Sequence, residues 1–101
     1  MQRLEVRRTI EANQDLRDIW LYVRSDSQRA ADGLIRRLIG TFDELAATPG
    51  LGRARPDLSE GLRSFPRGRF NIFYRADAAT LMVVRVLSSY RDVTDQSFPE
   101  T

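Results

Sequence analysis

An apolar stripe over residues 31–46 restricts the fold of this chain more than any other feature of its sequence. Its side chains recur at helical spacing and make the stripe wide enough to touch two neighbouring elements: Ala31, Leu34, Ile35, Leu38, Ile39, Phe42, Leu45 and Ala46. We expect such a helix to lie between a second helix and a sheet. Pro49 and Gly50 follow the stripe and end the helix in the usual way.

The second helix of the pair is predicted just upstream, after Thr9, which can cap it. Apolar residues again recur at helical spacing, at Ala12, Leu16, Ile19, Trp20 and Val23. The other face is expected to carry Glu11, Asp15, Arg17, Asp18 and Arg24. A Ser-Asp-Ser break at residues 25–27 can cap the following helix, so the two helices form an antiparallel hairpin. Gly33 and Gly40 lie seven residues apart, hence on one face, and are expected to let the helices approach closely.

Strand-like runs flank the hairpin, at residues 4–7, 62–65, 70–75 and 81–87. The first run predicts a strand at or near a sheet edge, and the last is apolar enough for a central strand covered on both faces. Residues 50–60 are expected to be loop. The predicted fold is therefore α+β, of order β-α-α-β-β-β, with a helical hairpin packed on a small, twisted, mostly antiparallel sheet. We expect one domain over residues 1–101, with residues 92–101 polar enough to form a mobile tail.

Composition excludes several classes of function. A chain of 101 residues has room for one core. It has no cysteine and no histidine, which removes disulfides, thiolate metal sites and the usual general base. No cofactor is expected. No run approaches the roughly 18 apolar residues of a membrane span, and the first residues lack a signal-peptide hydrophobic region. We expect a soluble, cytoplasmic protein without a membrane partner.

All 16 basic residues are arginine, and their positions are more informative than the net charge of +2. Strand alternation places Arg75 with Asn71 on the sheet face away from the helices, and Arg85 interrupts an apolar strand. Several guanidinium groups on one open face need carboxylates or a polyanion nearby. The acids could belong to a partner or to the fold itself, at Asp77, Asp92 or Glu60.

Five motifs follow one another along residues 9–92: Ala12-x-x-Asp15-Leu16-x-x-Ile19-x-x-Tyr22, Pro49-Gly-Leu-Gly-Arg53, Leu62-Arg-Ser-Phe65, Ile72-Phe-Tyr-Arg75, and Arg85-Val-Leu87 with Arg91-Asp92. In this order they resemble the RelE/ParE superfamily of bacterial toxins, and its ParE branch most closely. The resemblance implies the toxic component of a type II toxin–antitoxin system. One branch cleaves messenger RNA on the ribosome, and the other binds DNA gyrase and stabilises its cleaved DNA intermediate.

The nuclease branch works without histidine, through basic side chains on the sheet and a tyrosine beyond the last strand. In an RNase of this type the candidate catalytic residues would be Arg63, Arg75, Arg85, Tyr90 and Arg91. The pattern is only partly met, because Asn71 stands at one basic position and Ser97 or Phe98 falls near the tyrosine position. The high pKa of arginine also suits proton transfer badly. We therefore expect a gyrase inhibitor that is not an enzyme, with ribosome-dependent messenger RNA cleavage as the alternative.

The resemblance also implies an antitoxin partner, ParD-like, whose C-terminal segment wraps the toxin. Leu4 and Val6 on the predicted edge strand could accept strand addition. Acidic antitoxin residues would face Arg53, Arg55, Arg63, Arg75 and Arg85. DNA gyrase is the expected target, and no sequence-specific contact of this chain with DNA is expected. A third hypothesis is a toxin-fold protein whose target has drifted, or one that only pairs with its antitoxin.

Overall fold

A computed structural model describes residues 3–100 of the chain. The elements follow in the order β1 (Glu5–Arg8), α1 (Ile10–Arg24), α2 (Gln28–Ala47), β2 (Arg53–Ala54), β3 (Arg63–Arg67), β4 (Phe70–Ala76) and β5 (Thr80–Ser88). The predicted order is confirmed, with one addition. Residues 50–60 were expected to be loop throughout, yet they share a 3-10 turn at Pro49–Leu51 and contain the two-residue strand β2. Met1, Gln2 and Thr101, expected in the same domain, lie outside the described residues.

The five strands form one sheet in the order β1-β5-β4-β3-β2. β1 is parallel to β5, and all other neighbours are antiparallel, so the sheet is mostly antiparallel as predicted. A parallel pair needs a long crossover connection, which the helical hairpin supplies. β1 is an edge strand, as expected, and β5 lies inside the sheet. Within residues 3–100, neither helix has the length and apolar character needed to cross a membrane.

Both helices begin at the predicted caps. The Thr9 hydroxyl accepts a hydrogen bond from the Ala12 backbone N–H at 2.9 Å, and the Ser27 hydroxyl accepts one from Ala30 at 3.1 Å. Each cap satisfies one of the backbone donors that the first turn of a helix leaves free. The Thr9 hydroxyl also donates to the Val84 carbonyl at 2.8 Å, which fixes the start of α1 to the sheet.

The main core lies between the helical hairpin and one face of the sheet. Leu38, Phe42 and Leu45 of α2 are fully buried there against Ile72 and Val83 of the sheet. Burial of each such side chain stabilises the fold by about 1.5–3 kcal/mol. The stripe on α2 is therefore the principal hydrophobic element of the chain, as the sequence predicts.

A second, smaller core covers the opposite face of the sheet. Its buried members are Leu62, Phe73, Val84 and Leu87, and partly buried residues packed against them are Leu58, Met82, Val93 and Phe98. The Phe98 and Phe73 rings lie 5.0 Å apart between centroids. The expectation of an open sheet face is therefore wrong, because the loop after β2 and the C-terminal residues both pack on it.

A β-bulge interrupts the pairing of β4 with β5. Phe73 pairs with Arg85 whereas the next residue, Tyr74, pairs with Val83, so Val84 is an extra residue in β5. The bulge changes the alternation of side chains along β5. Val83 and Val86 face the helices, Val84 faces the second core, and the Arg85 guanidinium reaches Asp15 of α1.

The expected close contact of the helices at Gly33 and Gly40 is wrong. A Cβ atom added at either position would meet no atom within 4 Å, because both glycines lie away from the interhelical contact. The helices meet elsewhere, and the Trp20 indole N–H donates to the Asp32 carboxylate at 2.8 Å across the hairpin.

Candidate binding surfaces

Arg63 is engaged in holding the loop before β2. Its Nη1 donates to the Gly52 carbonyl at 2.6 Å. Arg63 pairs with Tyr74, and directly paired residues of antiparallel strands project to the same face. Since Tyr74 belongs to the main core, Arg63 lies on the helix side of the sheet. Arg63 therefore does not share a sheet face with Arg75, whose side chain contacts the C-terminal residues on the other side.

The Tyr74 hydroxyl also holds this loop, through two hydrogen bonds. Its hydroxyl donates to the Pro49 carbonyl at 2.6 Å and accepts from the Gly52 N–H at 2.8 Å, and burial raises the pKa of Tyr74. A Cβ atom on residue 52 would lie 2.8 Å from Tyr74 Cζ and closer still to its hydroxyl, so the position requires glycine. The Pro49-Gly-Leu-Gly-Arg53 motif is therefore a turn locked onto the sheet.

Arg75 and Arg85 hold the C-terminal residues against the second sheet face. Arg75 donates through Nη1 to the Pro99 carbonyl and through Nη2 to the Ser59 hydroxyl, both at 2.5 Å. Arg85 Nη1 donates to the Ser97 carbonyl at 2.9 Å. The mobility expected of residues 92–101 stays a prediction, and the structure adds that two arginines and the Phe73 ring contact this segment.

Arg85 also forms a buried ion pair with Asp15 of α1. Its Nε and Nη2 donate to the two carboxylate oxygens at 2.7 and 2.8 Å, and the Val86 N–H donates to the same carboxylate at 3.0 Å. The side chains of Asp15 and Arg85 are only 9% and 12% exposed, and the hydrogen bonds raise the pKa of Arg85. Two expectations are corrected: Asp15 is not on the exposed face of α1, and the partner of Arg85 is not Asp77, Asp92 or Glu60.

The remaining predicted antitoxin contacts lie at the two edges of the sheet. Leu4 and Val6 turn their side chains towards the main core, and the Leu4 N–H donates to the Ala46 carbonyl at 3.0 Å. Arg53 is exposed on β2, at the opposite edge. Arg55 forms a two-bond ion pair with the exposed Asp57 at 3.1 and 2.9 Å, which raises the pKa of Arg55 and lowers that of Asp57.

The five candidate nuclease residues do not form one cluster. Arg63 contacts the loop on the helix side, and Arg75 and Arg85 contact the C-terminal residues on the other side. Tyr90 and Arg91 are exposed beyond the end of β5 and line a separate groove. In the part of the chain that the structure describes, no three acidic side chains come together as metal ligands.

That groove, of about 990 Å³, runs between the two helices of the hairpin and the ends of β3, β4 and β5. Its floor is apolar and consists of Ile19, Val23, Leu34, Phe70 and Val86. Two tyrosines and four arginines stand around it: Tyr22, Tyr90, Arg37, Arg67, Arg69 and Arg91. We call it the tyrosine–arginine groove.

Sequence reasoning missed this groove, although one signal was present. The Arg67-Gly-Arg69 turn ends β3, and antiparallel pairing of β4 with β5 brings that turn beside the Tyr90-Arg91 pair. The Ser89 N–H donates to the Arg69 carbonyl at 2.8 Å, which joins the two segments directly.

Comparison with known proteins identifies relatives of this fold and sequence. A family model described as the ParE toxin of the type II toxin–antitoxin system parDE matches residues 6–93. Toxin ParE3 of Caulobacter vibrioides is 31% identical over 68 residues, which are 67% of this chain and 68% of that protein. A chain of the chromosomal ParDE system from P. aeruginosa superposes with a TM-score of 0.69 at 20% identity, over 84% of this chain and 95% of that one. A chain of the RelBE2 toxin–antitoxin complex from Mycobacterium tuberculosis gives a TM-score of 0.63 at 25% identity, over 86% and 99%.

Proposed function

Because this chain belongs to the ParE toxin family of type II toxin–antitoxin systems, we propose that it acts by binding DNA gyrase and that a ParD-like antitoxin holds it inactive. The gyrase target rests on the resemblance of its motifs to the ParE branch. The proposal of an antitoxin partner rests on the solved relatives, which come from a ParDE system and a RelBE2 toxin–antitoxin complex. On this proposal the chain is not an enzyme.

The observation that carries the proposal is the engagement of the arginines that a nuclease would need. Arg63 is bound to Gly52, Arg75 is bound to Pro99, and Arg85 is bound to Asp15. Stabilising the extra charge on a reacting phosphate requires guanidinium groups aimed at that phosphate. An RNase mechanism would therefore have to break contacts that hold the fold, whereas a toxin that acts by binding has no such requirement.

The antitoxin is proposed to use the two sheet edges. The outer edge of β1, which contains Val6 and directly follows Leu4, is proposed for β-augmentation, and exposed Arg53 offers a charge to an acidic segment. Arg55, Arg63, Arg75 and Arg85 would have to exchange their present partners for antitoxin carboxylates, so their contribution would be the smaller one. Together with Leu4, Val6 and Arg53, these four arginines make up the proposed antitoxin surface.

Ribosome-dependent messenger RNA cleavage is the second candidate. It is favoured by the exposure of Tyr90 and Arg91, which remain accessible to a substrate, and by the similarity to a RelBE2 complex. Arginine would then stabilise charge while the phenol served in proton transfer or base stacking.

One experiment in two parallel arms tests the proposal. Purified chain is added to gyrase with relaxed plasmid and ATP, and the products are released with detergent and protease. We expect less supercoiled product and an accumulation of linear DNA, both reversed when the chain is first mixed with its ParD-like antitoxin. The second arm adds the same protein to a translation reaction and maps message ends by primer extension. Cleavage at the ribosomal A site with unaltered gyrase activity would replace the proposal by the RNase alternative.

A further inference from the structure

The tyrosine–arginine groove carries an excess of uncompensated positive charge. Within residues 3–100, the guanidinium groups of Arg37, Arg69 and Arg91 have neither an ion pair nor a hydrogen-bond acceptor. The groove's fourth arginine, Arg67, is bound to Glu44 and Thr41. Of its two acids, Asp15 is neutralised by Arg85, which leaves Asp18 alone. Three unpaired guanidinium groups and one carboxylate give the groove a net positive charge, which favours an anionic ligand.

Two largely exposed aromatic rings stand beside these charges. Tyr22 is 81% exposed and Tyr90 is 83% exposed, in contrast to the buried Tyr74. Neither phenol hydroxyl makes a hydrogen bond within the described part of the chain. The apolar floor between them would be covered by a flat, apolar ligand surface, and a ring this exposed has a free face on which such a surface can stack.

From these features we infer that the tyrosine–arginine groove binds single-stranded DNA without sequence preference. Aromatic rings that stack on bases, combined with basic groups that follow the phosphates, are the general device for this ligand. All the cations are guanidinium groups, which bind phosphate oxygens through two parallel hydrogen bonds. An acidic peptide would satisfy the three arginines but would leave the two exposed ring faces without a stacking partner.

The choice of DNA over RNA rests on the proposed function, because gyrase cleaves DNA. The groove would then let the toxin contact a DNA strand in the complex that it stabilises. Binding to the strand itself requires no gyrase, so the inference can be tested apart from the target. A negative result for gyrase inhibition would therefore not refute strand binding by the groove, and the reverse also holds.

The test uses the full chain and a fluorescein-labelled oligothymidylate of about 12 nucleotides, with binding followed by fluorescence anisotropy between about 50 and 200 mM salt. Three phosphate contacts predict a slope of log K against log salt of about −2 for a single strand. A slope near zero, or no binding at 50 mM salt, overturns the inference. A parallel gyrase assay reports on the proposed function independently.

Variants separate stacking from charge. Tyr22→Ala and Tyr90→Ala are each expected to weaken binding by about 5-fold or more, the lower end of the loss of one stacked base. Tyr90→Phe keeps the ring and is expected to restore binding relative to Tyr90→Ala. Arg91→Ala should reduce the salt slope by about 0.7. Arg29→Ala removes an exposed arginine outside the groove and serves as the matched control, with unchanged affinity expected.

Competitors identify the ligand class. Unlabelled oligothymidylate is compared with oligouridylate and with polyglutamate of equal charge. Displacement by oligothymidylate at the lowest concentration supports the inference. Tighter binding of oligouridylate overturns the choice of DNA, and tighter binding of polyglutamate overturns nucleic acid as the ligand. Equal loss in Arg29→Ala and Tyr90→Ala would show non-specific charge attraction and would also overturn the groove assignment.

Discussion

Breaking the Asp15–Arg85 pair should be the most damaging single charge deletion in this fold. Asp15→Ala leaves the Arg85 guanidinium, 12% exposed, without its carboxylate and leaves the Val86 N–H without its acceptor. Removal of one partner of a buried ion pair costs about 3–5 kcal/mol. A domain of this size has a total stability of about 5–15 kcal/mol, so a large share of the free energy of unfolding is at stake.

A double-mutant cycle measures the pair itself. Asp15→Ala, Arg85→Ala and the double variant are unfolded in urea and followed by far-UV circular dichroism. The double variant buries no unpaired charge, so it should cost less than the sum of the single variants by about 1–3 kcal/mol. Asp15→Asn keeps an oxygen for the Val86 N–H and should fall between wild type and Asp15→Ala, which covers the case in which Asp15→Ala does not fold.

The exposed Glu5–Arg7 pair provides the control. Its N–O distance of 2.7 Å equals that of the buried pair, but both side chains are 62% exposed. Glu5→Ala should therefore cost no more than about 1 kcal/mol. If Asp15→Ala costs as little as Glu5→Ala, or if the two buried single variants are additive, the reasoning about burial is refuted.

Three further predictions concern other sites. Tyr90→Phe should retain toxicity in cells, because the account assigns its hydroxyl no proton transfer; loss of toxicity in a folded variant would restore a catalytic phenol. Gly52→Ala should lower stability by about 1–3 kcal/mol, since its Cβ would overlap Tyr74; an unchanged thermal midpoint would contradict this. Backbone N–H groups of the turn lower the pKa of Asp77, so its stabilising effect is present above the unfolded value of about 3.9 and is lost as pH falls through the lower folded value. An NMR titration of the Asp77 carboxyl that gives the unfolded value would show this to be wrong.

Most of the fold was predictable because its determinants are local. The stripe on α2 needs only helical spacing, and Thr9 and Ser27 are capping residues next to apolar periodicity. The position of β1 at a sheet edge also followed from local alternation. These features depend on residues that are close along the chain.

The arrangement of the arginines was not predictable, because it depends on register. Arg85 pairs with Phe73 of the second core, yet its guanidinium reaches Asp15 of α1, which lies 70 residues away in sequence. The face of Arg63 follows from its pairing with Tyr74, which strand alternation alone does not specify. One signal was available for Asp15, which follows Ala12 by three residues and precedes Ile19 by four, on the apolar side of the helix.

Titration of gyrase with the purified chain tests most directly the claim that this toxin acts by binding and not by turnover. Gyrase concentration is held well above the dissociation constant, and linear DNA is measured as the ratio of chain to gyrase rises. We predict that linear DNA grows in proportion to added chain and reaches a plateau once every gyrase site is occupied. Cleavage of a molar excess of ribosome-bound message by the same preparation, without effect on gyrase, would contradict the account.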